Sequence, residues 1–186
     1  MTGDTVLCWR LNITVNDYQL MVQQKRKNEI INLILNRFDE RYLAPIKSIP
    51  PKEKNGFCSM AVCCLMIETL ESFWRGWGDT KSKSELAFCS FFDRSDNLKV
   101  FRSHAREFYR SVRCGILHQA ETTGGWKLHR KGVLFDSASM TINATEFHKQ
   151  MRFCLNHYCA TLNKEDWTSE LWKNLRSKMK RICDNT

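Results

Sequence analysis

An arginine and a histidine, Arg113 and His118, stand near the predicted end of an amphipathic helix with four residues between them. An imidazole takes or gives a proton near neutral pH, and a guanidinium stabilises the charge that grows on a phosphate under attack. A cation and an imidazole so close in sequence mark this stretch as a candidate working site. Five residues of an α-helix turn through about 140°, so the two side chains face apart on one straight helix. Their cooperation requires either that the helix loosens near Gly115 or that two copies of the helix meet.

Three more arginines, Arg102, Arg106 and Arg110, precede Arg113 on the same predicted helix. On a helical wheel the four fall within about 80° of one another, and no acidic residue of that helix shares their face. Four like charges in register repel one another, yet the guanidinium fork suits phosphate because it contacts two oxygens at once. The pattern leaves two interpretations open, a face that binds an anion such as RNA and a solvated helix face. The apolar residues of the helix predict its core face: Phe101, Ala105, Phe108, Val112 and Ile116.

Other residues could support this chemistry. Glu68 and Glu71 lie three apart, so they share a helix face and could act as an acid–base pair or pair with arginines inside a bundle. Cys114 directly follows Arg113, and no neighbour in sequence would activate it as a nucleophile. Lys127 and Arg130 belong to a basic turn that could contact RNA or simply be solvated.

The apolar pattern predicts the elements that hold these residues. Residues 57–75 form the most apolar segment and predict a buried central helix that ends at Gly76 and Gly78. Upstream, residues 5–15 favour a strand, and one helix capped by Asn16 or Asp17 is predicted up to Pro45, followed by a loop over 45–56. Ser82 with Glu85 fits a capping box for a short helix through Phe92, and Asp96 is the predicted cap of the arginine-rich helix.

After the arginine-rich helix, residues 126–129 and 133–136 flank a turn of sequence RKG and predict a β-hairpin. Asn143 with Glu146 marks the start of another helix, and a last helix is expected from about Lys164. The sequence therefore predicts a mainly α single domain over residues 1–186, a helical bundle with a small β-hairpin after the motif helix.

The stretch FYRSVRCGILHQAETTGGWKL resembles the signature of the HEPN superfamily (higher eukaryotes and prokaryotes nucleotide-binding domains), in which an Arg and a His separated by four to six residues lie near the end of a core helix of an α-helical bundle. Arg113 and His118 match that motif. The chain departs from the family pattern at Cys114, where the family often has Asn, Asp or His. The sequence likeness covers about 20 residues, and the expected architecture covers the chain.

The resemblance implies a metal-independent endoribonuclease that needs no cofactor and acts as a homodimer through the motif helix, of the kind found in toxin–antitoxin and phage-defence systems. His118 would be the general acid–base and Arg113 the phosphate clamp. The remaining arginines of the face would hold flanking phosphates, with RNA as substrate and an antitoxin or other regulatory protein as a possible partner. The alternative is a non-catalytic HEPN-like module that binds RNA, a nucleotide or a protein partner.

The amino-acid composition restricts the kind of partner and the cellular location that we expect. The formal net charge of +9 favours an anionic partner. Nine cysteines without a CxxC pair make a poor disulfide framework, so we expect mostly core thiols and a reducing, cytoplasmic location. No signal peptide is recognised, and the apolar run 57–67 is too short to cross a membrane. Cys154, His157 and Cys159 lack the further ligands of a structural zinc site, which favours core packing.

Overall fold

The computed structural model of the chain describes residues 5–50 and 52–185 and is mainly α-helical, at 67% helix, as the sequence predicts. Pro51 of the predicted loop, and residues 1–4 and 186 of the predicted domain, lie outside the described residues. The α-helices are α1 (Val15–Gln23), α2 (Lys27–Phe38), α3 (Ala44–Lys47), α4 (Gly56–Arg75), α5 (Ser84–Arg94), α6 (Ala105–Glu107), α7 (Cys114–Gln119), α8 (Ala144–Lys164) and α9 (Glu170–Asp184). The strands are β1 (Val6–Cys8), β2 (Ile13–Thr14), β3 (Lys127–His129), β4 (Phe135–Asp136) and β5 (Thr141–Asn143).

Helix α4 is the centre of the bundle and packs against α5, α8 and α9. Its apolar side chains are buried nearly all round, and Gly76 ends it in the left-handed conformation (φ +67°), as the glycine predicts. One continuous cluster of buried side chains runs from Leu7 on β1 to Met179 on α9. The most apolar segment of the sequence is therefore the element on which the other helices pack.

At 20 residues and a mean hydropathy of 1.4, α4 is long and apolar enough to cross a membrane by length and composition. That makes the structural helix longer than the apolar run used for the sequence prediction. Of its most apolar window, 61% is buried inside the fold, and Glu68 and Glu71 lie within it. Burial of this kind is typical of the core helix of a globular domain.

The N-terminal region differs from the prediction in two ways. The single helix expected up to Pro45 is broken, because Lys25 adopts a left-handed conformation (φ +54°) between α1 and α2. The cap of α1 is Thr14, which forms a reciprocal capping box with Asp17. The strand tendency of residues 5–15 is divided between β1 and β2, which pair antiparallel. Helix α2 then widens into a π-helical segment, Asp39–Leu43.

The capping box predicted for Ser82 and Glu85 is wrong. Ser82 adopts a left-handed conformation (φ +61°), whereas an N-cap residue needs extended backbone. Helix α5 begins at Ser84 without a side-chain cap, and the Ser84 hydroxyl donates to Glu68 of α4 instead. A tertiary contact therefore replaces the local one.

The predicted β-hairpin is also wrong, because its two arms do not pair with each other. Strand β5 lies between them, parallel to β3 and antiparallel to β4, in a three-stranded sheet of order β3-β5-β4. The central place goes to the strand that carries Ile142, which is fully buried. Asn143 at the end of β5 caps α8 by accepting the Glu146 N–H at 3.0 Å, as predicted, whereas the last helix begins at Glu170, later than expected.

Candidate active site on the arginine-rich helix

The arginine-rich helix spans residues 96–119 and is not a regular α-helix. It begins as a 3-10 helix (Asp96–His104), continues through α6, widens into a π-helical segment (Phe108–Arg113) and ends as α7. Asp96, the predicted cap, makes no capping hydrogen bond and instead pairs with Arg102 at 2.7 Å. Arg113 is the last residue of the π-helical segment, and such segments are frequent at functional sites.

The core face of this helix is the one that the wheel predicts. Phe101, Ala105, Phe108 and Val112 are buried, and Phe108 packs edge-on to Phe92 of α5 with ring centroids 5.0 Å apart. Burial of these side chains fixes the rotation of the helix and so directs the arginine face towards α4 and α5.

Arg113 is held from one side. Its Nε donates to Oε1 of Glu68 at 2.8 Å, and its guanidinium lies over the Tyr109 ring, 5.6 Å from the centroid. Its Nη1 approaches the Cys114 sulfur at 3.9 Å, and neither Nη atom meets a carboxylate among the described residues. The side chain is 18% exposed, so part of it remains open to solvent.

The charge of Arg113 is secured by its surroundings. Burial opposes the cation, but the ion pair and hydrogen bond with Glu68 outweigh it and raise the pKa of Arg113 above its ordinary value. The other Glu68 oxygen, Oε2, accepts from the hydroxyls of Thr80 and Ser84, each at 2.8 Å. With its side chain only 10% exposed, Glu68 therefore holds the arginine in one orientation.

Glu68 and Glu71 belong to separate ion-pair clusters and do not form an acid–base pair. Glu71 is fully buried and accepts hydrogen bonds from Arg75 and, through two nitrogens, from Arg94. Pairing with arginines inside the bundle, which the sequence left open, is what the structure shows for both glutamates.

The three remaining arginines are not free of acidic partners. Arg106 and Arg110 share Glu85 of α5, at 3.7 Å and 3.1 Å, and Arg102 pairs with Asp96. The expectation of an uncompensated face is wrong. Glu85 lies on α5, which a wheel of the arginine-rich helix does not show, and Asp96 at the start of that helix was predicted only as a cap. Arg106 and Arg110 nevertheless stay 76% and 69% exposed and can contact an external anion.

His118 is exposed near the end of α7, which Ala120 terminates in the left-handed conformation (φ +56°). Within residues 5–50 and 52–185, its ring forms no hydrogen bond or ion pair. Arg113 reaches inward to α4 while His118 faces solvent five residues later, so one chain does not bring the two together. Beside the histidine, Leu117 is 40% exposed.

Gly115 is not a weak point of the helix. Helix α7 continues through it, and a Cβ added there would come within 2.5 Å of the Glu121 carbonyl oxygen. The chain after α7 folds back over this glycine, and the Thr123 N–H donates to the Ser111 carbonyl at 2.9 Å. The glycine thus permits a close backbone approach. The departure from α-helical geometry lies earlier, in the π-helical segment.

The basic residues of the small sheet, Lys127 and Arg130, lie away from Arg113. Arg130 donates from Nη1 to the Glu53 carbonyl and lies against Gly56 at the start of α4. Lys127 is exposed on β3, where it faces Thr141 in register, and it takes part in no ion pair with a described residue. The structure does not gather either residue with Arg113.

The cysteines are unpaired thiols in the described part of the chain. Five are buried, and Cys154 contacts Ser95 and Asn97 through its sulfur, at 3.7 Å and 3.5 Å. His157 is exposed on α8 and its ring lies 6.1 Å from that of Trp74. No group of three or more potential metal ligands occurs among the described residues.

Three residues of the site were missed by the sequence analysis. Thr80 and Ser84 complete the Glu68 cluster, and Tyr109 lies under Arg113. Only Tyr109 carried a usable signal, since it precedes Arg113 by four residues, a spacing that places side chains together on a helix. Comparisons with models of known protein families, with curated proteins and with solved structures find no match to this chain.

Proposed function

We propose that this protein is a metal-independent endoribonuclease of HEPN type that acts as a cytoplasmic homodimer. The observation that carries the proposal is the way in which the neighbours of Arg113 hold its guanidinium. Glu68 fixes its Nε side, its Nη edge is free of carboxylates among the described residues, and an exposed histidine follows five residues later. An arginine held in this way can receive a phosphate with little further ordering.

The chemistry uses only groups that the two side chains and the substrate supply. His118 removes the proton from the ribose 2′-OH, which attacks the adjacent phosphorus, and an imidazolium returns a proton to the departing 5′ oxygen. Arg113 stabilises the charge on the non-bridging oxygens as the phosphorane forms. Arg106 and Arg110, both largely exposed, bind flanking phosphates.

The site requires two chains, because Arg113, at the end of the π-helical segment, and His118, on α7, face apart in one chain. In the proposed dimer the ends of two α7 helices meet, so that Arg113 of one chain faces His118 of the other. Leu117, exposed between these two residues in sequence, supplies apolar contact area at that seam. A regulatory protein such as an antitoxin would act by covering the same surface.

Cleavage of single-stranded RNA in EDTA tests the activity. The wild-type protein is expected to cut, and His118→Ala is expected to lower the rate at least a hundredfold. The matched control is His157→Ala, which removes another exposed histidine on α8. Equal rates for His118→Ala and wild type would refute the assignment.

Mixing two inactive variants tests the composite site. Arg113→Ala alone would leave the Glu68 carboxylate without its cation, so Glu68→Gln/Arg113→Gln is the better arginine variant. Mixed with His118→Ala, it forms heterodimers that contain one intact pair across the seam. Activity should return on mixing, and a mixture that stays inactive despite heterodimer formation would contradict a site shared between chains.

The second candidate is a module that binds RNA without cutting it. The high exposure of Arg106 and Arg110 favours it, because these residues can contact phosphates in a monomer as well as in a dimer. RNA binding that weakens with salt, with no cleavage in any oligomeric state, would support this candidate over the nuclease.

A further inference from the structure

A cavity of about 520 Å³ lies between α3, the start of α4 and α8. It shares no lining residue with the Arg113 cluster or the arginine face. Its volume falls within the range typical of small-molecule sites. Its lining includes Ile46, Lys47, Ser59, His148, Lys149 and Arg152.

The charge of this lining is of one sign. Four of its side chains are cationic, and no carboxylate occurs among the described residues that line it. Lys149 and Arg152 are balanced from outside the cavity by Glu146 and Asp39. Lys47 is exposed and has no ion-pair partner in the described part of the chain. An anion at this rim would therefore meet several cations, of which Lys149 and Arg152 already pair with a carboxylate.

Two residues of the lining, Ser59 and His148, each carry a buried polar atom that the fold does not satisfy. Ser59 is only 3% exposed, and its Oγ has no hydrogen-bond partner among the described residues. The Nε2 atom of His148 is likewise buried without a partner. Buried polar groups are almost always hydrogen-bonded, so an unpaired pair beside a cavity points to a ligand.

The protonation state of His148 indicates which kind of polar group the ligand must offer. Burial lowers the pKa of His148 despite the nearby carbonyls of Tyr42 and Leu43, so the ring is neutral near pH 7. Those carbonyls belong to the π-helical segment Asp39–Leu43 and favour a proton on the ring nitrogen that faces them. Nε2, which has no partner among the described residues, is then left as the acceptor of the neutral ring and calls for a donor on the ligand.

Much of the remaining lining is apolar. Leu43, Ile46 and Ile49 contribute aliphatic surface, and Phe153 contributes an aromatic ring that is 58% exposed. A large aromatic side chain so exposed at the mouth of a cavity can cover a bound apolar body.

We propose that this cavity binds a small organic phosphate. Its phosphate lies at the rim between Lys47, Lys149 and Arg152, and its apolar body lies against Ile46 and Phe153. A hydrogen-bond donor of the ligand meets Nε2 of His148 while Ser59 bonds the same polar group. A nucleoside monophosphate and a hydroxyalkyl phosphate both meet this description, so the test separates them.

Titration calorimetry with the full chain uses five probes. Adenosine monophosphate and 8-hydroxyoctyl phosphate carry both a body and a phosphate, adenosine and 1,8-octanediol carry the body alone, and inorganic phosphate carries the head alone. We expect one of the two organic phosphates to bind at least tenfold more tightly than its neutral counterpart and than inorganic phosphate, which also identifies the body. Binding of neither organic phosphate above the level of inorganic phosphate would overturn the proposal.

Single substitutions test whether the probe binds in this cavity. Lys47→Gln and Ser59→Ala should each weaken the bound probe at least fivefold, and neither removes a contact on which the fold depends. Lys99→Gln, which removes an exposed lysine elsewhere, should leave binding unchanged. If Arg110→Gln abolishes binding while Lys47→Gln does not, the probe binds the arginine face and the cavity assignment is wrong.

Discussion

The Nε atom of Arg113 donates to Oε1 of Glu68 at 2.8 Å, across 45 residues of chain. This contact joins the arginine-rich helix to the buried central helix α4. It also divides the guanidinium into a structural edge, which faces Glu68, and a second edge with no acidic partner among the described residues. The arginine that is proposed to bind the scissile phosphate is thus held in place by a carboxylate of the central helix.

Breaking this ion pair should be costly. Glu68→Gln leaves a mostly buried arginine without its anion, and we expect the free energy of unfolding to fall by about 3 kcal/mol. The control is Glu85→Gln, whose partners Arg106 and Arg110 are largely exposed and whose loss should cost less than about 1 kcal/mol. Urea denaturation measures the free energy of unfolding of both variants. Equal losses would show that the Glu68–Arg113 ion pair stabilises the protein no more than the exposed pairs of Glu85 do.

Gly115→Ala should destabilise the protein because the chain that follows α7 packs closely against Gly115. The added Cβ would lie 2.5 Å from the Glu121 carbonyl oxygen, which is backbone and cannot move without the turn. We expect a loss of about 1–3 kcal/mol, typical of overpacking. Gly56→Ala is the matched control, since a Cβ there meets only ordinary contacts (3.7 Å at the nearest), and it should be neutral or stabilising.

Stability should decline on mild acidification because of His148. Its pKa in the fold lies below the ordinary value of 6.5, so between the two values the unfolded chain binds more protons. The free energy of unfolding therefore falls as the pH drops through 6.5, by at most about 1.4 kcal/mol per pH unit. The charged side chains that line the same cavity are Lys47, Arg130, Lys149 and Arg152.

Thermal unfolding between pH 5 and pH 7.5 measures this effect, above the range in which carboxylates titrate. His148→Gln should flatten the dependence, whereas the exposed His118 replaced by Gln should retain the wild-type slope. A slope that is unchanged in His148→Gln would assign the proton uptake to another group.

Ser59→Ala should not lower stability despite its position in the core. The Ser59 hydroxyl is buried and has no partner in the described part of the chain, so its removal relieves the cost of desolvating a polar group, about 1–3 kcal/mol. We expect an unchanged or raised melting temperature. Ser72→Ala is the control, because the Ser72 hydroxyl donates to the Glu68 carbonyl at 2.8 Å. A clear loss of stability in Ser59→Ala would mean that its hydroxyl is satisfied in solution.

The sequence by itself determined the features that depend on near neighbours along the chain. The all-round apolar character of residues 57–75 identified the central helix, and the spacing of Phe101, Phe108 and Val112 identified the core face of the arginine-rich helix. The side-chain cap of Asn143 was also predictable, because a cap and its partner lie three residues apart.

Only the tertiary structure decided the electrostatics and the strand order. Glu85 neutralises Arg110, which lies 25 residues later in the sequence, and Glu68 holds Arg113, which lies 45 residues later. A helical wheel displays one helix and cannot show partners so far apart in sequence. Likewise β5 lies between the two arms that were expected to pair. Helix periodicity and caps arise from contacts within a turn or two, whereas ion pairs and strand order depend on which distant surfaces the hydrophobic core brings together, and that is fixed only when the whole chain packs.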